Sequence, residues 1–147
     1  RMPKYAFERL EETFGSVAKK KITFLGISYR GDVGDTRLSP VKTFVDLAEK
    51  KGAATYFHDP FIDYWDEKET KIENNLDEIL LINSDIIVIS AGHSIYKKKN
   101  FIDKLLRIKP VFIFDTLGLF NDEQILDLKA VHKISILGRG DIKWKKS

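Results

Sequence analysis

The chain has 147 residues, 43% hydrophobic and 32% charged, which fits one soluble domain large enough to bury its own core. It has no cysteine, which excludes a disulfide framework and a thiolate metal site, and a cytoplasmic protein is expected. The net charge of +3 sits in short clusters (Lys19 to Lys21, Lys97 to Lys99, Lys143 to Lys146), so neither nucleic acid nor a membrane is an expected partner.

Apolar runs reach only four or five residues, against roughly 20 for a bilayer span. Arg1-Met2-Pro3-Lys4 lacks the features of a signal peptide, and an Arg ahead of Met2 suggests a piece of something longer. Residues 3–17 show helical spacing, with Tyr5, Leu10, Phe14 and Val17 near one face and Pro3 in the first turn. Lys21 to Leu25 reads as a strand ending at Gly26, followed by a polar loop to Leu38. Ser39 then offers an N-cap with Pro40 at the first helical position. Phe44, Val45, Leu47 and Ala48 supply a buried stripe, and Gly52 closes the helix.

Ala54 to His58 is a second strand, ending at Asp59-Pro60, and Phe61 to Glu73 reads as a charged loop with one helical turn. Asn75 caps a short helix through Ile82. Asp85 to Ser90 is a continuous apolar strand of the kind buried on both faces of a parallel sheet. A helix over Asn100 to Ile108, a strand over Val111 to Asp115, a helix over Asp122 to Leu128 and a strand over Lys133 to Leu137 complete the pattern. Strands alternating with helices predict a three-layer, Rossmann-like α/β fold. Its sheet should be mostly parallel, with five or six strands and helices on both faces. No repeat or linker interrupts it.

In such sheets ligands bind beyond the carboxyl ends of the strands. That rule selects the loops 26–39, 59–61, 91–96, 115–120 and 138–141. The first begins G-x-S-x-x-G over Gly26 to Gly31, a degraded dinucleotide fingerprint with Ser28 where a second glycine would let backbone approach a pyrophosphate. It has no Gly-Lys-Ser/Thr ending, so it offers side chains, namely Tyr29, Arg30, Asp35 and Arg37. The arginines suit phosphate or carboxylate; equally, Asp35 and Arg37 could pair and brace the loop. Asp59 stands where dinucleotide folds place a ribose-binding carboxylate, and also where a turn needs an Asp before Pro60. His93 reads as a ligand contact or a surface histidine, whereas His58 and His132 read as structural. The Arg139-Gly140-Asp141 tripeptide carries no adhesion reading without a secretion signal. No His or carboxylate pair has metal-ligand spacing.

These residues also resemble a known family. Leu25 to Arg30, followed by Gly34-Asp35-Thr36-Arg37-Leu38-Ser39-Pro40, is similar to the start of the C-terminal domain of the UDP-glucose/GDP-mannose dehydrogenases, the nucleotide-sugar 6-dehydrogenases. Met2-Pro3, Lys51-Gly52-Ala53, Asp59-Pro60-Phe61, Asn75 to Asp85, His93 and Phe114-Asp115 follow in the order of that family. The resemblance implies residues 1–18 as the end of an inter-domain helix region and 19–147 as the nucleotide-sugar-binding domain. It also implies NAD-dependent oxidation of a sugar C6 alcohol to a carboxylate, in polysaccharide biosynthesis, through a cysteine thioester. NAD would be held mainly by an N-terminal domain, with the full-length protein a homo-oligomer. By the same resemblance Tyr29 and Arg30 contact the nucleotide-sugar, Arg37 reaches toward NAD, and Asp35 and Ser39 support the loop. Arg30 for the usual Lys, Leu38 for Glu and Leu117 for a frequent Arg are departures. Gly118 looks closer to the branches that oxidise N-acetylated or other sugars than to the UDP-glucose branch. The alternative is a non-catalytic nucleotide-binding or regulatory module of the same fold.

Overall fold

The structure is a computed structural model that describes residues 2–28, 30–37 and 39–138. Five strands form one wholly parallel sheet: β1 (Lys21–Leu25), β2 (Ala54–His58), β5 (Ile86–Ile89), β6 (Phe112–Asp115) and β7 (Lys133–Ile136). Their spatial order is β2-β1-β5-β6-β7. The chain therefore builds outward from β1 in one direction to β2, then returns to the other side for β5. The switch in strand order lies between β1 and β5, where open α/β sheets present a crevice.

The alternation of side chains explains why the central strands are apolar throughout. Ile86 and Val88 of β5 face one layer, with Ile22, Phe24 and Phe114. Ile87 and Ile89 face the opposite layer, with Leu25 and Ile113. The first layer is completed by helices α1 (Met2–Phe14) and α2 (Val41–Lys50), whose Leu10, Phe44 and Val45 are buried against the sheet. Phe44 meets Phe7 and Phe24 edge-on at 5.7 and 5.5 Å. The second layer carries α3 (Leu76–Leu80), α4 (Lys99–Leu106) and α5 (Asp122–Lys129). Ile79, Phe101, Leu105, Ile125 and Leu128 are its buried residues. Asn75 caps α3 by accepting the Glu78 N–H, and Asn121 caps α5 in a reciprocal pair with Gln124.

Several sequence expectations are corrected. Helix α1 ends at Phe14, just ahead of Gly15, so Val17 is buried from the following turn and not from the helix. Tyr5 is about half exposed; Ala6 and Phe7 join the expected Leu10 on the buried face. The stretch expected as a loop with one helical turn contains an antiparallel ribbon, β3 (Tyr64–Trp65) and β4 (Thr70–Lys71), joined by a 3₁₀ turn at Asp66–Lys68. Trp65 anchors it: the indole is fully buried and meets Phe57 edge-on at 5.2 Å. From the tip of the ribbon Lys68 reaches Asp46 and Glu49 of α2 at 2.6 and 2.8 Å. Helix α2 begins one residue later than expected, at Val41, and ends as expected just before Lys51-Gly52.

Among the described residues no helix is long and apolar enough to cross a membrane.

Candidate functional site at the carboxyl end of the sheet

The loop after β1 lies across the switch point, and the structure shows what holds it there. Gly26 has φ of +102°, and a Cβ built on it would lie 2.5 Å from Ala91 Cβ and 2.6 Å from Ala91 N. Only glycine allows the loop to leave β1 this close to the end of β5. The next two residues turn inward. The Ile27 and Ser28 N–H groups donate to Asp59 Oδ2 at 2.7 and 3.0 Å, and the Ser28 hydroxyl donates to the same oxygen at 3.1 Å. Asp59 Oδ1 accepts the Phe61 N–H at 2.8 Å. Asp59 is fully buried. Burial pushes its carboxyl up, but the bond from His93 and the N–H groups of Phe61, Ile27 and Ser28 outweigh that and hold it below its ordinary value.

His93 supplies the fifth donor. Its ring is fully buried, with Nε2 2.9 Å from Asp59 Oδ2 and Nδ1 accepting the Asp32 N–H at 2.7 Å. The ring lies between Phe61 and Tyr96, at centroid distances of 5.0 and 5.7 Å. Asp32 returns the contact, accepting the Ser94 N–H at 2.8 Å and the Ser94 hydroxyl. Both bonds lower the Asp32 pKa, that of the hydroxyl more. Gly31 also sits on this loop, and a Cβ there would lie 2.5 Å from the Gly92 carbonyl oxygen. Gly31→Ala is expected to destabilise the chain by about 1–3 kcal/mol, because backbone is the obstacle and neither loop yields without breaking the Asp32 bonds. Urea denaturation measures this; an unchanged midpoint would show that residue 31 lifts away from Gly92 freely.

The sequence-selected residues thus divide. Asp59 forms the turn expected of it, since it accepts the Phe61 N–H, and its carboxylate is buried under the loop. His93 is not the surface histidine expected: its ring is fully buried and both its nitrogens are hydrogen-bonded within the chain. Asp35 and Arg37 pair as a brace, the guanidinium donating at 3.1 and 3.2 Å and the Arg37 N–H at 3.0 Å. The Arg37 side chain is nonetheless 82% exposed, and Arg30 is exposed as well. Ser39 ties the far end of the loop down, donating to the Ile27 carbonyl at 2.8 Å and accepting the Val41 N–H at 3.2 Å. Tyr29, Leu38 and the 139–141 stretch lie outside the described residues.

Two further features frame the site. The Asp115 carboxylate is fully buried and accepts N–H groups of Leu117, Leu119 and Phe120 at 3.0, 2.7 and 3.2 Å, folding the loop after β6 around itself. Its pKa is raised because burial outweighs those bonds. Leu117 is half exposed at the rim of an apolar cleft of about 150 Å³, with Ala6, Val41, Phe44 and Leu137 among its walls. His58 and His132 are structural, as expected. The former faces the Tyr96 hydroxyl and the Asn74 carbonyl at 2.8 and 3.0 Å; the latter faces the Leu105 carbonyl at 2.7 Å. No group of three His, Cys, Asp or Glu among the described residues is arranged to hold a metal.

Comparison with known proteins turns this geometry into an assignment. Residues 23–122 match the UDP binding domain of the UDP-glucose/GDP-mannose dehydrogenase family. This chain belongs to that family. The match includes residues 23–25 of β1, the loop after it, Asp59, His93 and Asp115, the residues that build the carboxyl end of the sheet. A UDP-N-acetyl-D-mannosamine dehydrogenase of Methanococcus vannielii is 33% identical over 128 residues, covering 85% of this chain and 28% of its own length. Among solved structures, an NDP-N-acetyl-D-galactosaminuronic acid dehydrogenase of Methanosarcina mazei superposes with a TM-score of 0.74 at 27% identity, over 94% of this chain and 30% of the other. A UDP-D-ManNAc dehydrogenase of Pyrococcus horikoshii gives 0.71 at 26%, over 97% and 32%. The chain thus spans under a third of the length of these family members.

Proposed function

We propose that this chain is the nucleotide-sugar-binding part of an NAD-dependent nucleotide-sugar 6-dehydrogenase. In this reading residues 1–18 end an inter-domain helix region and residues 19–147 close over the UDP moiety of the substrate. The observation that carries it is the family match over residues 23–122, which falls on the loop that the fold presents at its switch point. On that loop Tyr29 and Arg30 contact the nucleotide-sugar, and Arg37, whose exposed guanidinium is paired with Asp35, serves the cofactor. The substrates in the names of the M. vannielii and P. horikoshii relatives, together with Gly118, favour an N-acetylated UDP-sugar. The enzyme is a soluble cytoplasmic homo-oligomer that supplies sugar acids for polysaccharide biosynthesis.

The loop after β1 does not fit NAD. In dinucleotide folds the backbone N–H groups here receive a pyrophosphate. In this chain the Ile27 and Ser28 N–H groups already face the Asp59 carboxylate, an anion supplied from beneath the loop. The cofactor is therefore assigned to an N-terminal domain, and the residues of this chain bind and orient substrate. What they supply is a cationic, pre-organised edge: an arginine on a loop whose two ends are already fixed loses little freedom on meeting a phosphate.

Calorimetry with UDP, UDP-sugars and GDP-sugars tests the reading. Binding of UDP-sugars in preference to GDP-sugars is expected. Arg30→Ala should weaken it about 10- to 100-fold, the equivalent of one charge-assisted contact. Absence of binding to every nucleotide in the panel would overturn the assignment. An unchanged dissociation constant in the variant would remove Arg30 from the contact.

A further inference from the structure

The loop is fixed on both sides of Tyr29 and Arg30, and both fixings meet at one imidazole. On the near side Ile27 and Ser28 hang from Asp59 Oδ2. On the far side Asp32 hangs from His93 Nδ1 at 2.7 Å. His93 Nε2 joins the two at 2.9 Å from Asp59 Oδ2. The chemistry of the partners determines the state of the ring. Asp59, held ionised by its five donors, only accepts, so Nε2 carries the hydrogen. A backbone amide only donates, so Nδ1 carries none. Asp32 Oδ1 lies 4.0 Å from Nδ1, beyond hydrogen-bonding distance, and accepts the Ser94 N–H instead. One form of histidine satisfies both neighbours, the neutral Nε2–H tautomer.

We propose that His93, in this tautomer, is the positioning residue that sets where the loop carries Arg30 over the sheet. It touches no substrate; it acts through Asp32 and Asp59. The conformation it stabilises is one the backbone does not favour, since Asp32 has φ of +58°, in the left-handed region that few non-glycine residues adopt. Without an acceptor at Nδ1 the Asp32 N–H would be left facing a ring carbon or a second donor, and the loop would lift to find water. Gly31 would leave Gly92, and the residues just before it would lose their fixed position. The proposal rests on the nucleotide-sugar reading for its functional consequence, but its structural half stands apart from that reading.

Three substitutions separate the two arms of the strut. In His93→Asn the amide oxygen can take the place of Nδ1, keeping the acceptor for Asp32 and dropping the arm to Asp59. In His93→Gln the amide nitrogen can take the place of Nε2, keeping the arm to Asp59 and dropping the acceptor. His93→Phe drops both and retains the ring. Nitrogen-15 spectra of the wild-type imidazole should show an unprotonated Nδ1 and a protonated Nε2; the opposite tautomer overturns the proposal. Hydrogen exchange at the Asp32 amide should speed at least about tenfold in His93→Gln and His93→Phe and less in His93→Asn. UDP-sugar affinity should fall in the same order, by about tenfold in His93→Gln, as for one lost buried hydrogen bond. Thermal unfolding is measured alongside. If affinity follows unfolding temperature and not the presence of the acceptor, His93 is a packing residue and the proposal fails. If the wild-type chain binds no nucleotide-sugar, the functional assignment fails instead, and the exchange order alone decides whether His93 is the strut.

Discussion

Asp59→Asn should lower the unfolding free energy by about 3 kcal/mol at neutral pH, one of the largest effects expected of a single isosteric change in this chain. Asp59 Oδ2 accepts from the Ile27 and Ser28 amides, the Ser28 hydroxyl and His93 Nε2, and Oδ1 accepts from the Phe61 amide. An asparagine has one oxygen. Placed toward the four donors, it leaves its NH₂ group against the Phe61 N–H; placed toward Phe61, it sets the NH₂ against four donors. Either way a buried donor goes unpaired and the remaining bonds lose their charge assistance.

The pH dependence follows from the same contacts. The folded pKa of Asp59 is held below its ordinary value. Its ionisation therefore contributes stability that is fully present above the unfolded pKa and is lost as pH falls through the folded one. Wild-type chain should lose this contribution on acidification, and Asp59→Asn should not, so the two urea midpoints converge in acid. Midpoints that differ little at neutral pH, or that run parallel into acid, would show that the carboxylate is not what holds the loop.

Much of this fold is legible in the sequence because single strands and helices carry their own signals. Five strands and five helices follow from the switching apolar period, and Asn75 and Lys51-Gly52 mark boundaries through local chemistry that survives in the folded state. The ribbon at Tyr64–Lys71 does not, since strands of two residues are too short to show alternation. Its anchor, Trp65, packs on Phe57 by a tertiary contact.

The site divides along the same line. The loop that matters is legible from its position after the first strand, and so is the Asp35–Arg37 pair two residues apart. The role of Asp59 is not. Asp59-Pro60 carries a local turn signal strong enough to account for the residue, while its partners Ile27, Ser28 and His93 are remote in sequence. One inference could have found them. Strands β2 and β5 flank β1 on either side, so the first residues beyond β2 and β5 must both converge on the loop beyond β1. Asp59 directly follows β2, and His93 lies a few residues beyond β5. A carboxylate and an imidazole delivered to one buried spot pair with each other before either meets a ligand.

The purified 147-residue chain should give no enzyme-dependent NADH when incubated with NAD⁺ and a panel of UDP- and GDP-sugars. Oxidation of a C6 alcohol to a carboxylate through a thioester needs a thiolate, and none of the 147 residues is cysteine. It also needs a nicotinamide held against the sugar, and the loop after β1 has its Ile27 and Ser28 amides turned onto Asp59. Binding without turnover is the outcome expected from the proposed function, in which the exposed Arg30 and Arg37 side chains recognise a diphosphate from one side. Absorbance of the reduced cofactor is the measurement, run beside calorimetry on the same sample so that ligand binding and turnover are read together. NADH formation that scales with this chain, with host dehydrogenases excluded by a mock purification, would overturn the division of labour proposed above. It would mean that this domain holds a cofactor in a place other than the loop after β1 and oxidises the sugar without a cysteine.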